Sequence, residues 1–150
     1  NKNLLIYIHN AVKEQDIASV GFYIGGMKDA DLKVSETKKI IVATYAMASE
    51  GLDIKTLSTL FLVSPRTDVV QAVGRILRVK HERPLVIDLI DPHQNFINQW
   101  NKRRAFYKKN KYKIIMTDNK EYFNNCWSIN NDSDTKVINE KKIKKCLITI

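Results

Sequence analysis

The sequence of 150 residues has only two cysteines and no long hydrophobic run. Cys126 and Cys146 stand far apart, and neither has a neighbouring Cys or His at metal-ligand spacing. The sequence therefore predicts neither a zinc site nor a disulfide framework. No apolar run is long enough to cross a bilayer, so we expect no membrane partner. The first residues, from Asn1 to Leu4, match neither a signal peptide nor an initiator methionine, which indicates a fragment of a longer polypeptide.

Positive charge is in clear excess. The formal net charge is +9 and the isoelectric point is about 9.5, which favours a polyanionic partner. Lys102 to Lys113 holds seven basic residues and no acid, and Lys141 to Lys145 forms a second cluster. Charge alone does not separate DNA, RNA, a membrane surface or an acidic protein. A phosphate-binding surface and an ordinary solvated one both fit these clusters.

Short apolar runs of strand type alternate with segments of helical spacing. The runs are Leu4–Ile8, Lys39–Ala43, Leu60–Val63 and Leu85–Ile90. This alternation predicts an α/β fold with a mostly parallel sheet flanked by helices. A chain of this length, 44% hydrophobic, has room for one sizeable core plus a tail.

Capping and turn residues place the remaining elements. We expect a helix over Ala11–Ala18 capped by Asn10, then a strand over Gly21–Ile24 and a tight turn at Gly25-Gly26. Asp91, followed by Pro92, should cap a helix that runs to about Lys109. Its expected inner face consists of Phe96, Ile97, Trp100, Arg104 and Tyr107.

The aromatic residues of that face fit two interpretations, base stacking or simple burial.

The last third of the chain carries fewer signals. Tyr112–Thr117 fits a further strand, Asn130–Asp134 fits a loop, and Lys144–Ile150 fits either an edge strand or a disordered segment.

The segment Gln71–Arg78 carries the strongest chemical signal, on a predicted helix that Thr67 can cap. Gln71, Arg75 and Arg78 share one helical stripe, opposite an apolar stripe of Val70, Val73 and Leu77. Two guanidiniums one turn apart suit a phosphoryl group that is being transferred, although a solvated helix face has the same pattern. Gly74 would let a ligand approach the backbone closely.

A second signal is Ala43–Ile54, which follows an apolar strand and places polar groups at its carboxyl end. Ligands bind at that end in open α/β sheets. A strand, a short helix and a glycine cap would give the same pattern in many folds without a ligand.

In this order and spacing, the two segments resemble motifs V and VI of superfamily-2 helicases. The resemblance covers roughly Leu4 to Tyr112. Within it, the sequence is similar to helicases of large cytoplasmic DNA viruses, such as the poxvirus transcript-release helicases, and to their relatives among phage and bacterial repair helicases. Leu4–Ile8 also resembles motif IV. The resemblance implies a RecA-like C-terminal domain over residues 1–117, without its own P-loop, followed by an extension of unknown role over residues 118–150.

The resemblance also implies roles for eight residues. Arg75 and Arg78 would be arginine fingers on the γ-phosphate of ATP, and Gln71 would link the ATP site to the partner domain. Gly51 and Asp53 would face the nucleotide. Thr44 and the Gly25-Gly26 turn would contact the nucleic-acid backbone.

The phosphate-binding half of an ATPase is missing from the sequence. Gly21 and Gly26 have the spacing of a P-loop, but Met27 stands where the lysine is required. No DEAD-like box is present. Asp88 and Asp91 could pass for the end of a metal-binding strand, but we interpret Asp91 as a helix cap. The resemblance therefore implies that ATP and Mg²⁺ are bound mainly by an N-terminal lobe, and that this chain alone is inactive as an ATPase.

The expected partners are single- or double-stranded DNA or RNA, the N-terminal RecA-like lobe of the same polypeptide, and transcription or replication machinery. A viral helicase of this kind would act inside the cell, in the viral factories of the host cytoplasm, and could be packaged in the virion. Two other interpretations stay open. One is a catalytically inactive RecA-like module that binds DNA or RNA, and the other is an interaction protein whose basic tail docks a polymerase.

Overall fold

The computed structural model describes residues 2–64, 66–76, 78–118, 121–122, 124, 128–129 and 144–149. The chain divides into two compact units, Asn1–Ile54 and Lys55–Ile150. The predicted loop over residues 130–134 lies outside the described residues. The predicted boundary between residues 117 and 118 marks where the resemblance to the helicase family ends. It stays a prediction.

The first unit is a pair of parallel strands with helices. Its elements are α1 Lys2–Glu14, β1 Val20–Tyr23, α2 Asp29–Glu36, β2 Ile40–Ala43 and α3 Tyr45–Glu50. In the register of the two strands, Val20 lies beside Ile40 and Tyr23 beside Ala43. Parallel strands need a crossover connection, which α2 supplies. β2 lies within the predicted apolar run Lys39–Ala43, and β1 overlaps the short strand predicted over Gly21–Ile24.

The predicted strand Leu4–Ile8 is wrong, because these residues form part of α1. Leu4, Ile8 and Val12 are half-buried and recur at i, i+4 and i+8, which is the period of a helix face. Asn10 therefore lies inside the helix and does not cap it. The helix predicted over residues 11–18 instead ends at Glu14, and the strand expected to match motif IV is absent from this position.

Close packing of β1 on α2 explains Gly21. A Cβ atom added at Gly21 would lie 3.0 Å from Ser35 Oγ and 3.0 Å from Lys38 Cγ, so a larger residue would force the helix away from the strand. Gly21 thus lies within a strand, whereas Gly26 lies in the predicted tight turn with a φ of +86°. The glycine spacing that imitates a P-loop is a packing contact followed by a turn.

The second unit is a five-stranded sheet with two helices. Its elements are β3 Thr59–Leu62, α4 Val70–Ile76, β4 Leu85–Leu89, α5 Gln94–Lys109, β5 Lys113–Asp118, β6 Ser128–Ile129 and β7 Lys144–Thr149. The strand order is β3-β4-β7-β5-β6. β3 and β4 are parallel, whereas β7 is antiparallel to both β4 and β5, and β6 is antiparallel to β5.

The fold is therefore α/β, with short parallel strands flanked by helices, as the sequence predicted, and it is compatible with a RecA-like domain. Parallel pairing is found in both strand pairs that precede residue 90, and the later strands add antiparallel pairs. The segment Lys144–Thr149 forms a strand, but it is an internal strand and not an edge. No helix among the described residues is both long and apolar enough to span a bilayer.

Two details of α5 differ from the prediction. The helix is capped by His93, whose side chain accepts a hydrogen bond from the Asn95 backbone N–H, so Asp91 is not the cap. Asp91 Oδ1 instead accepts from the His93 backbone N–H at 3.2 Å. On the inner face, the fully buried arginine is Arg103, while Arg104 is only half-buried.

Candidate nucleotide and nucleic-acid site

The carboxyl ends of β1 and β2 bring the predicted backbone-contacting residues to one edge. Thr44 directly follows β2, and its backbone N–H donates to the Tyr23 carbonyl at the end of β1. The Gly25-Gly26 turn follows β1 and is exposed, with no heavy atom of the described residues within 4 Å of a Cβ at either glycine. A ligand can therefore approach this backbone closely.

Thr44 is also the N-cap of α3. Its hydroxyl oxygen accepts a hydrogen bond from the Met47 backbone N–H at 3.4 Å, which is the usual role of threonine at this position. That bond uses a lone pair of the oxygen and leaves the hydroxyl proton to donate. The geometry thus fits the predicted donation to a phosphate oxygen and explains, without any ligand, why a threonine suits this place.

Tyr23 ties the second predicted segment to the same edge. Its side chain is 4% exposed, and its hydroxyl lies 3.1 Å from both Glu36 Oε1 and the Gly51 carbonyl, either of which accepts its proton. Burial raises the pKa of Tyr23, and the Glu36 carboxylate raises it further. Gly51 is the C-cap of α3, and Asp53 lies exposed two residues beyond it. The residues predicted to face nucleotide thus belong to a segment held by a buried tyrosine.

The helix α4 presents its predicted polar stripe outward. Gln71 and Gly74 are exposed and Arg75 is half-buried. The helix ends at Ile76, so Arg78 lies in the following turn, where its backbone N–H donates to the Arg75 carbonyl at 3.4 Å. The two guanidiniums therefore belong to a helix end and the turn after it, rather than to one continuous helix.

The inner face of α4 differs from the predicted apolar stripe. Val70 is 50% exposed, and Leu77 lies outside the described residues. The buried stripe has positions i, i+3, i+4 and i+7 and consists of Val69, Ala72, Val73 and Ile76. Asp68 caps the helix, because its Oδ1 accepts from the Val70 backbone N–H at 3.0 Å, so the prediction of Thr67 as the cap is wrong.

A buried charge pair that was not predicted from the sequence contacts the loop that precedes α4. Asp88 on β4 is 1% exposed and Arg103 on α5 is 2% exposed. Arg103 donates from Nε to Asp88 Oδ2 at 2.7 Å and from Nη2 to Asp88 Oδ1 at 2.8 Å. Its Nη1 donates to the Arg66 carbonyl, and Tyr107 donates to Asp88 Oδ2 at 3.2 Å. The only signal in the sequence was an isolated acid within an apolar strand.

Burial raises the pKa of Asp88, while the hydrogen bonds from Arg103 and Tyr107 oppose that shift. The ionised carboxylate is therefore held in place at a cost in solvation. Within the described residues, no group of three or more His, Cys, Asp or Glu side chains could hold a metal ion. The partner that the structure shows for the Asp88 carboxylate is the Arg103 guanidinium.

Five of the predicted site residues lie in the first unit and three in the second. Thr44, Gly25 and Gly26 are brought to one sheet edge, and Gly51 is bonded to the same edge through Tyr23. Gln71, Arg75 and Arg78 lie on and just after α4. Their roles in binding and catalysis stay predictions.

Relatives of this chain in sequence are found among viral proteins named as helicases. The chain is 48% identical over 99 residues to the "Putative ATP-dependent RNA helicase L396" of Acanthamoeba polyphaga mimivirus, a match that covers 64% of this chain and 19% of that protein. It is 26% identical over 88 residues to the "Putative helicase 161L" of Invertebrate iridescent virus 6, covering 58% of this chain and 20% of the relative. The chain thus spans about a fifth of these helicase-named relatives.

A shorter relative shows the family. The chain is 31% identical over 78 residues to the "Uncharacterized protein 108L" of Invertebrate iridescent virus 3, covering 51% of this chain and 75% of that protein. The chain therefore belongs to the family of this iridescent-virus protein and is related to viral proteins named as helicases. No family model matches the chain, and no solved structure matches it.

Proposed function

We propose that the chain is the C-terminal RecA-like lobe of a superfamily-2 helicase or translocase that is driven by ATP. Arg75 and Arg78 would be the arginine fingers of an ATP site between two lobes, and Gln71 would link that site to the partner lobe. The observation that carries the proposal is α4, which buries one apolar face and leaves Gln71 exposed and Arg75 half-buried. Its sequence lies in a chain related to helicase-named viral proteins.

The mechanism follows from charge. A phosphoryl group in transfer spreads negative charge over its equatorial oxygens, and guanidinium donors stabilise that charge more than they stabilise the ground state. The N-terminal lobe would bind ATP and Mg²⁺, and closure of the lobes would bring Arg75 and Arg78 to the γ-phosphate. Gly51 and Asp53 would contact the nucleotide. This division of labour would make the chain inactive as an ATPase by itself.

Nucleic acid would run along the first unit. Thr44 and the open turn at Gly25-Gly26 offer one hydroxyl and two unobstructed peptide groups to phosphate oxygens, contacts that position a strand without reading its bases. The partner would be single- or double-stranded DNA or RNA. Transcription or replication machinery of a large DNA virus, in the host cytoplasm or in the virion, is the proposed setting.

The test is the ATPase rate of the full-length protein, with and without DNA and RNA of one and two strands. We expect stimulated turnover, and we expect Arg75→Ala and Arg78→Ala each to lower kcat by about 1,000-fold or more, the range that arginine fingers give in other NTPases. Arg83→Ala changes an exposed arginine of the same unit and serves as the control. Full activity in both finger variants would contradict the proposal.

A second candidate is a RecA-like module that has lost catalysis and only binds nucleic acid. The exposed lysines of α5, Lys102, Lys108 and Lys109, favour it, since such a surface attracts phosphates whether or not ATP is hydrolysed. The same assay decides between the two. A full-length protein that binds oligonucleotides but shows no ATPase activity would support the binding module.

A further inference from the structure

The buried pair of Asp88 and Arg103 makes a hydrogen bond to a third group in addition to the bonds between the two side chains. Arg103 donates from Nε, Nη1 and Nη2, and only two of these three atoms point to the carboxylate. The third, Nη1, donates to the backbone carbonyl of Arg66. The planar guanidinium thus joins β4 and α5 to the loop that leads from β3 to α4.

The bonded carbonyl lies just before the helix. Arg66 precedes Asp68, the residue whose carboxylate caps the first turn of α4. The inner face of α4 is fixed by apolar packing of Val73 and Ile76, which are 0% and 2% exposed. Apolar packing has no preferred direction, whereas a hydrogen bond depends on the angle between its donor and its acceptor. The bond from Arg103 to the Arg66 carbonyl therefore adds a directional constraint at the entry to the helix.

Stability does not explain why a charged pair occupies this place. Removing two charges from water can cost more free energy than their attraction returns, and apolar residues of similar size often replace such pairs without loss of stability. Tyr107, itself 0% exposed, adds a third polar group to the cluster. A hydrogen-bonded polar cluster of this kind specifies its geometry through directional bonds, which an apolar cluster lacks.

We propose that Asp88 and Arg103 are positioning residues that hold the Arg66 backbone and thereby set where α4 presents Arg75 and Arg78. This inference rests on the proposed function of those two arginines. Arg103 would not touch ATP, and its effect would pass through the backbone of the loop into the first turn of α4. Asp88 would orient the guanidinium, and Tyr107 would hold the carboxylate.

The first variant is Arg103→Lys in the full-length protein, measured by steady-state ATPase kinetics with saturating nucleic acid. Lysine keeps the charge but has no planar fork to reach Asp88 and Arg66 together. We expect kcat to fall by about 10- to 100-fold, the effect of a displacement of about 1 Å at a catalytic group, with the KM for ATP within about twofold of the original. Arg83→Lys makes the same change at an exposed arginine and should leave both constants unchanged.

A triple variant, Asp88→Leu with Arg103→Met and Tyr107→Phe, separates positioning from stability. It removes the three polar side chains of the cluster and leaves no unpaired charge in their place. We expect its thermal midpoint to be at or above that of Arg103→Lys while kcat stays low, because Arg66 still lacks its donor. Recovery of kcat along with the thermal midpoint would overturn the inference, since it would show that the cluster matters only for stability.

Arg75→Ala, assayed alongside, separates this inference from the proposed function. If Arg75→Ala abolishes turnover and Arg103→Lys leaves kcat unchanged, the positioning role is wrong and the arginine fingers stand. If Arg75→Ala and Arg78→Ala both leave turnover intact, the proposed function is wrong, and the positioning role is overturned with it.

Discussion

Single buried hydroxyl groups decide local geometry in this molecule. The hydroxyl of Tyr23 is the clearest case, because it lies 3.1 Å from both the half-buried carboxylate of Glu36 and the carbonyl of the exposed residue Gly51. Neither acceptor is adjacent to Tyr23 in the sequence, so the bond joins α2, β1 and the end of α3. The sequence shows only a tyrosine at the end of an apolar strand, a position that reveals nothing about its partners.

Tyr23→Phe tests this bond. We expect the free energy of unfolding to fall by about 0.5 to 1.5 kcal/mol, because the substitution removes one hydrogen bond whose acceptors keep access to water. Urea denaturation of the 150-residue chain measures the change. Tyr7→Phe is the control, since Tyr7 is 71% exposed and its hydroxyl is open to solvent. Equal losses in both variants would show that the buried bond contributes nothing.

The residues of the candidate site were predictable to different degrees. Thr44 and Arg75 stand in sequence patterns that carry chemistry, so their place at a strand end and on an outer helix face could be predicted. Asp88 and Arg103 could not be paired in advance, because Arg103 stands in a run of basic residues and only the packing of α5 on the sheet selects it over Arg104. Ion pairs between distant elements depend on tertiary structure.

At the scale of elements, one reason explains why some short apolar runs were correctly predicted as strands and another was not. A run of five apolar residues fits a strand or a buried helix equally well, and only its neighbours distinguish them. The run Leu4–Ile8 continues in helical spacing through Ala11 and Val12, which makes α1. The run Leu85–Ile90 is bounded by Pro84 and Asp91 and cannot extend, so β4 was predictable.

The helix α4 gives a prediction at this scale. Val73→Ala should lower the free energy of unfolding by about 2 kcal/mol, because Val73 is fully buried and its loss leaves a cavity. Val70→Ala should change it by less than about 0.5 kcal/mol, because Val70 is half exposed and alanine favours the helix. Chemical denaturation of the two variants compares them directly. A larger loss at Val70 would restore the apolar stripe predicted from sequence and contradict the observed one.

At the scale of the whole chain, the net charge of +9 has to be assigned to a surface. The helix α5 carries exposed lysines, and Lys102 and Lys109 lie two turns apart on one face. If this face binds a nucleic-acid backbone, each lysine releases a counterion on binding. If the lysines only form a solvated surface, no counterions are released when nucleic acid binds.

The double variant Lys102→Gln/Lys109→Gln decides between them. For a single-stranded oligonucleotide, we expect the slope of log K against log salt concentration to become shallower by about 1.4, or roughly 0.7 for each lost phosphate contact. Binding measured by fluorescence anisotropy at several salt concentrations gives the slope. The control is Lys13→Gln/Lys33→Gln, which removes two exposed lysines from the first unit. An unchanged slope in the α5 variant would assign these lysines to the solvated surface.

The arrangement of the sheet has a consequence for how the chain folds during synthesis. β7 lies between β4 and β5, and Thr149 pairs with both Leu85 and Lys113. During synthesis, β4 and β5 leave the ribosome before β7, the strand that lies between them. Until β7 emerges, each of them has one edge without a hydrogen-bonded neighbour. Such distant pairing makes closure of the sheet slow. The second unit is therefore exposed to misassembly and aggregation until residues 144–149 have left the ribosome and been inserted between their two neighbours.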